Sequence, residues 1–312
     1  MAGVVDSEIA EWLAAYPAPD VDYRDVAAVR ALYAGYMNEH GGPAPRWSRP
    51  DVELTDVRVG GVDALMWRPR ETTAQLPVVL AFHGGAFIVG GPLGAERIAA
   101  PLAGDHGICT ISVAYRLAPE HPAPAARDDA RRALDRLGDL PGVDPDRVVV
   151  HGSSAGASIT AGLALYARDT GRPLALQSLT CPALDSRTPY TGDPEHSMAG
   201  PSPTLSRATA AAMWDHYLGG RPPTDPELEY VVPSLATDVS SVAPAHITVA
   251  EIDVLRDEAI AYADRLAASG VPVEVDLVQG AVHGFDGLLP DTALAGSVIT
   301  RQIDAIVAAM KA

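Results

Sequence analysis

Positive charge is scarce in this sequence of 312 residues. Lysine and arginine together number 23 against 40 aspartates and glutamates, a formal net charge of −17. The sole lysine is Lys311. Nucleic acids and anionic membranes are bound through basic faces, so both partner classes are excluded on charge. The acidic surplus reads as a soluble, self-repelling surface and says nothing about substrate. The preference for arginine over lysine reads as GC-rich codon usage.

Cysteine is nearly absent too. Cys109 and Cys181 stand in or beside apolar runs, where free cysteine packs as a small hydrophobe. Two buried free thiols are therefore expected. With no C-x-x-C there is no standard zinc site, and nothing else implies a metal or cofactor. No apolar run reaches the ~18 residues that a membrane helix needs. The first dozen residues lack the basic-then-apolar order of a secretory leader. A cytoplasmic protein with no membrane span is the expectation.

What is present is an ordinary globular composition, 47% hydrophobic and 20% charged. Ile9 and Leu13, then Val26, Val29, Tyr33 and Tyr36, recur at helical spacing over residues 6–40. His40-Gly41-Gly42-Pro43 stops the second helix. From Val52 the residues alternate as in a half-exposed strand, turn at Gly60-Gly61 and return to Trp67, a hairpin. Continuous apolar runs follow at 78–82, 108–113, 148–150, 174–179, 247–250 and 273–278. Helical segments separate them at about 94–106, 123–138, 155–169 and 256–269, and a last helix spans about 292–310. This alternation predicts a parallel sheet covered on both faces. Residues 186–241 are too long for an ordinary connection, and 205–218 within them reads as a helix.

Four stretches carry chemistry. Gly152-Ser153-Ser154-Ala155-Gly156 follows a valine-rich strand and opens a helix, the G-x-S-x-G setting of a strained nucleophile. Its glycines leave room for a tight turn, and the helix N-terminus favours negative charge beside Ser154. His83-Gly84-Gly85-Ala86-Phe87 follows another strand and offers backbone N–H groups to a developing oxyanion. Ala86 stands where a third glycine is usual, but its N–H remains. His83 itself reads as an anchor of the loop. His283 and Asp253 follow the last two strands. Serine needs a base, and the base needs an orienting carboxylate, in the order Ser154…Asp253…His283. Glu251, Asp257 and Asp276 compete with Asp253 for the acid's role.

These stretches, together with Tyr115-Arg116-Leu117-Ala118-Pro119-Glu120-His121-Pro122, Asp253-Val254-Leu255-Arg256-Asp257-Glu258 and His283-Gly284-Phe285, resemble the hormone-sensitive-lipase-like branch of α/β hydrolases (bacterial family IV). The resemblance spans about residues 50–312. It implies the α/β-hydrolase fold, a mostly parallel eight-stranded sheet flanked by helices. It also implies a helical cap from residues 1–45 and an insertion at about 186–225, on a catalytic domain of residues 46–312. By resemblance Ser154 is the nucleophile, His283 the base and Asp253 the acid. The oxyanion donors are the amides of Gly84, Gly85 and Ala155, with Ala86 as a further donor. Arg116 and Glu120 look like a structural ion pair. Ser153 stands where the family usually has an acid, and Val254 where it often has proline.

Phe87, Ser153, Trp214 and Tyr190 are candidates for contact with substrate, and Trp12, Trp47 and Tyr217 could join them. Ordinary packing is the competing reading for these aromatics. The function implied is a serine carboxylesterase acting on short- to medium-chain acyl esters, its partner a small-molecule ester, with a homodimer as a candidate assembly. An amidase, formamidase or deacetylase would use the same machinery. A receptor built on the fold, like the plant gibberellin receptors, would lack the triad histidine that His283 supplies.

Overall fold

Valine, isoleucine and leucine runs form the inner strands of one eight-stranded sheet. The computed structural model describes residues 4–15, 21–40, 47–189, 203–222, 225, 228–289 and 291–311. Two helices, α1 (Ser7–Ala15) and α2 (Val26–His40), precede the hairpin β1 (Val52–Val59) and β2 (Val62–Pro69). Then come β3 (Leu76–Phe82), α3 (Glu96–His106), β4 (Cys109–Val113), α4 (Ala125–Asp135), β5 (Val143–Ser153), α5 (Ala155–Asp169) and β6 (Leu176–Thr180). Helix α6 (Arg207–Leu218) lies in the long connection to β7 (Ala245–Ile252). The chain ends with α7 (Arg256–Ala268), β8 (Val273–Val282), α8 (Phe285–Leu288) and α9 (Ala293–Ala309).

The strand order is β1-β2-β4-β3-β5-β6-β7-β8. β2 pairs antiparallel with β1 and β4, and every later pairing is parallel. The inner strands are apolar throughout because both faces are covered. On one face Val79 and Ala81 meet Ile98 and Leu102 of α3 and Ile303 and Ile306 of α9. On the other, Val78, Leu80 and Phe82 meet Ala130 of α4 and Ile159 and Leu163 of α5. Each such aliphatic side chain, fully buried, contributes about 1.5–3 kcal/mol. Both cysteines are free and buried. Among the described residues no helix is long and apolar enough to cross a membrane.

Several boundaries differ from the sequence reading. β5 begins at Val143, well before the valine run, because Asp144, Asp146 and Arg147 hide an edge of strand that pairs Val143 with Leu76. The segment at 94–106 starts as a 3-10 turn at Pro92–Ala95 before α3. α6 starts at Arg207, with Ser206 accepting the Thr209 N–H as its cap.

The parallel strands end along one edge, where sheets of this kind hold their ligands. Buried polar groups fix that edge. Gln302 of α9 donates to Thr180 Oγ1 at 2.9 Å and Thr248 Oγ1 at 3.2 Å, tying β6 to β7. Helix α1 packs there too: Ile9 is buried among Phe285, Val282 and Val298, and the Asp6 N–H donates to Gly280 O at 3.0 Å.

Candidate active site

Ser154 sits between β5 and α5 at φ 52°, ψ −117°. A non-glycine residue there costs of order 1–3 kcal/mol, and it persists only where its surroundings fix it. They do so closely. A Cβ on Gly156 would lie 2.1 Å from Phe82 O, and one on Gly152 2.3 Å from Gly156 O. The Ser154 N–H donates to Thr180 O at 2.8 Å. The side chain thus stands over the sheet edge at the start of α5, whose first N–H groups have no intrahelical acceptor.

His283 follows β8. Its Nε2 lies 2.9 Å from Ser154 Oγ, and its Nδ1 lies 2.7 Å from Asp253 Oδ2. Asp253 is buried, and its Oδ1 accepts the Leu255 N–H at 3.0 Å. Burial opposes charge on His283, but the Asp253 charge and hydrogen bond, with the Asp286 charge, outweigh it and raise its pKa above the usual 6.5. The competing acids are engaged elsewhere. Glu251 accepts the Gly280 N–H at 2.8 Å, Asp257 pairs with Arg256 at 2.7 Å, and Asp276 with Arg301 at 2.8 Å. Cys181 also lies here, its sulfur within 4.8 Å of donor atoms of Asp253 and His283. Burial pushes its thiol far above the usual range, while both ring nitrogens of His283 already face Asp253 and Ser154.

The loop after β3 closes over the serine. A Cβ on Gly84 would lie 3.5 Å from Ser154 Cβ. Gly85, Ala86 and Phe87 all have positive φ, 120°, 54° and 62°. The Gly85 carbonyl accepts from the N–H groups of Ile88 and Val89, both at 3.0 Å. His83 is buried, stacks on Tyr115 at 4.3 Å, and places Nδ1 2.7 Å from Gly84 O. Burial lowers its pKa to about 4, so it stays neutral and acts as an anchor. The loop thus stands beside a serine–histidine–aspartate hydrogen-bond relay, an arrangement that acyl transfer can use.

The aromatic candidates are placed in packing. Phe87 is buried and stacks on Tyr217 at 3.7 Å, with Trp214 at 5.4 Å. Trp12 joins the Ile9 cluster, and the Arg97 guanidinium lies 6.0 Å from the Trp47 ring centre. Ser153 is partly exposed beside Ser154, and Tyr190 lies outside the described residues.

One expectation is corrected. Arg116 does not pair with Glu120. It binds the buried Asp129 of α4, with Nε and Nη2 both 2.9 Å from its carboxylate. Glu120 is held by Arg30 of α2, at 2.6 and 2.8 Å. The partner implied by the family resemblance is replaced by one on the next helix. Arg30 itself carried no sequence signal, being one polar residue on an amphipathic helix.

Ser154, Asp253 and His283 thus form one hydrogen-bonded group at the carboxyl edge of an α/β sheet. Comparison with known proteins agrees. The family described as alpha/beta hydrolase fold matches residues 79–287. Esterase LipI of Mycobacterium tuberculosis is 36% identical over 250 residues, 76% of this chain and 76% of that protein. Ethyl acetate hydrolase of Pseudomonas putida is 30% identical over 243 residues, covering 75% and 74%. A bacterial heroin esterase superposes with a TM-score of 0.88 at 32% identity, covering 99% of each chain. The chain belongs to the α/β-hydrolase family, in its hormone-sensitive-lipase-like branch.

Proposed function

We propose that this protein is a carboxylesterase that hydrolyses short- to medium-chain acyl esters through Ser154, His283 and Asp253. The observation that carries the reading is the relay itself, 2.9 Å from Ser154 Oγ to His283 Nε2 and 2.7 Å from His283 Nδ1 to Asp253 Oδ2. Ser154 Oγ attacks the ester carbonyl carbon while its proton passes to His283 Nε2. Negative charge on the carbonyl oxygen meets the amides of Gly84, Gly85 and Ala155, with Ala86 beside them. The intermediate collapses, and the alcohol leaves with the proton from His283. Water, deprotonated by His283, then attacks the acyl-enzyme and releases the acid.

Helices α1 and α2 and the 186–225 insertion form the cap in this reading. Its support is that α6 packs Trp214 and Tyr217 against Phe87, while His216 Nε2 of α6 lies 3.0 Å from Tyr23 O. The named activity of the Pseudomonas putida relative supports small acyl groups.

The test is a 4-nitrophenyl ester series from acetate to decanoate, run with matched anilides. Hydrolysis strongest at short to medium chains, slow anilide turnover, and loss of at least about 10⁴-fold in kcat for Ser154→Ala are expected. Wild-type rates in Ser154→Ala would end the proposal, and faster anilide turnover would make the protein an amidase.

A further inference from the structure

The turn at residues 84–89 carries strain that its own hydrogen bonds do not account for. Ala86 and Phe87 both hold positive φ, and such residues need surroundings that over-determine them. Part of the restraint comes from the 115–120 segment, where the Ala118 N–H donates to Phe87 O at 2.9 Å. The rest comes from far away in sequence. Arg30 of α2 donates from Nε to Ile88 O at 3.0 Å and from Nη2 to Ala118 O at 3.1 Å. The same guanidinium grips both carboxylate oxygens of Glu120.

The Arg30–Glu120 pair by itself explains little, since exposed ion pairs are worth about 0–1 kcal/mol. Both side chains are substantially open, at 37% and 54% exposure. Its geometric effect is different: the carboxylate orients the guanidinium fork so that its remaining N–H groups meet two main-chain carbonyls. Ile88 O and Ala118 O are thereby held on either side of Phe87. The next peptides back, Gly85–Ala86 and Gly84–Gly85, carry N–H groups assigned to the oxyanion. The Gly85–Ala86 peptide is held by its own carbonyl, which accepts from the Ile88 and Val89 N–H groups, and the Val89 N–H shares a peptide with the Ile88 carbonyl that Arg30 grips.

Resting on the esterase reading above, we propose that Arg30 is a positioning residue for the oxyanion loop. Delivered by α2, its guanidinium clamps the Ile88 and Ala118 carbonyls and so keeps the 84–87 amides aimed at the substrate oxygen. Helix α2 therefore governs the rate of acyl transfer as well as covering the site. The helix has its own seat, through buried Val29 and through Tyr36 Oη donating to Leu288 O at 2.9 Å, so Arg30 can be replaced without releasing it.

The test compares wild type, Arg30→Ala, Arg30→Lys and Glu120→Ala on 4-nitrophenyl acetate. Affinity for a trifluoromethyl ketone, which forms an oxyanion adduct, and melting temperature are measured alongside. Misplacing oxyanion donors by a fraction of an ångström predicts a fall in kcat of about 10–100-fold in Arg30→Ala, with KM within about threefold. Ketone affinity should fall in parallel. Guanidinium ion at tens of millimolar should restore part of the kcat of Arg30→Ala and none in Ser154→Ala. Arg30→Lys lacks the fork and should retain most of the defect. Glu120→Ala keeps both carbonyl contacts and should lose less than Arg30→Ala.

Wild-type kcat in a folded Arg30→Ala overturns the proposal. So does a rise in KM with unchanged ketone affinity. Should Arg30→Ala fail to fold, wild-type kcat in Arg30→Lys overturns it equally. A wild-type protein inert to esters and to a fluorophosphonate ends the esterase reading and this proposal together. An active wild type with an unimpaired Arg30 variant ends this proposal alone.

Discussion

Glu258 and Leu184 are 74 residues apart in sequence, yet the Leu184 N–H donates to Glu258 Oε1 at 2.6 Å. The Asp185 N–H donates to the same oxygen at 3.2 Å. A buried carboxyl thus pins the main chain just where the 186–225 insertion departs. Burial pushes its pKa up to about 8, against hydrogen bonds that pull it down. The native state therefore keeps a proton that the unfolded chain loses near pH 4.5. The associated stability is complete below about pH 4.5 and declines as pH rises to about 8.

Glu258→Gln should remove that decline. Glutamine keeps an acceptor for both N–H groups and has no proton to lose. Urea unfolding at several pH values between 5 and 8 measures it. Wild type should carry a downward slope of up to about 1.4 kcal/mol per pH unit from this group, and the variant should lack it. Equal slopes in the two proteins would contradict the assignment.

Asp253→Asn should lower kcat by about 10³–10⁴-fold while leaving the fold intact, because a carboxamide does not hold the productive histidine tautomer. The pH profile adds a second readout. His283 must be neutral to accept the serine proton, and its pKa is raised above 6.5. Wild-type kcat/KM should fall as pH drops through a value above 6.5. Without the Asp253 charge burial dominates, and the acid limb of the variant should move to lower pH.

Two buried histidines should contribute a loss of stability on acidification in a defined window. Burial lowers the pKa of His83 and of His151 to about 4, with His246 adding to the effect at His151. The unfolded chain binds these protons from about pH 6.5 downward, the native state only near pH 4. The contribution of these two histidines should be full above pH 6.5 and fall as pH drops toward 4, on the order of 2–3 kcal/mol for each, against the opposite slope from Glu258. His151→Gln should flatten part of the fall in denaturation measured across that range.

Gly156→Ala should be damaging out of proportion to one methyl group. The added carbon would press on the carbonyl of Phe82, main-chain atoms of β3 that cannot rotate away. A loss of about 1–3 kcal/mol is expected, with a lower melting temperature and reduced kcat as Ser154 shifts against His283.

Ser154, Asp253 and His283 were legible as candidates because each sits at the end of a strand in a recognisable stretch, and the fold brings them within hydrogen-bond distance. Glycines at 84, 152 and 156 advertise close main-chain approaches, and such constraints leave a mark in sequence. Arg30 left none. Its role depends on where α2 docks against two loops, and helical periodicity reports a face without naming what covers it. The family resemblance pointed Arg116 to Glu120, four residues on, but the packing of α4 brings it Asp129, 13 residues away. Phe87 and Trp214 were visible as large aromatics, but only the fold places them against each other. The early start of β5 was hidden by the charged residues 144, 146 and 147, which separate Val143, paired with Leu76, from the apolar run.

Helix α1, docked beneath the His283 loop, has a bearing on how the protein is made. The Asp6 N–H bonds to Gly280 O, and the Ala293 N–H to Glu8 Oε2, joining regions near the two ends of the sequence. Contacts so distant along the chain close a long loop, which slows folding. On the ribosome the segment bearing the nucleophile emerges long before β8 and α9. A chain released before β8 would therefore carry Ser154 without His283, the residue its hydroxyl meets in the folded protein.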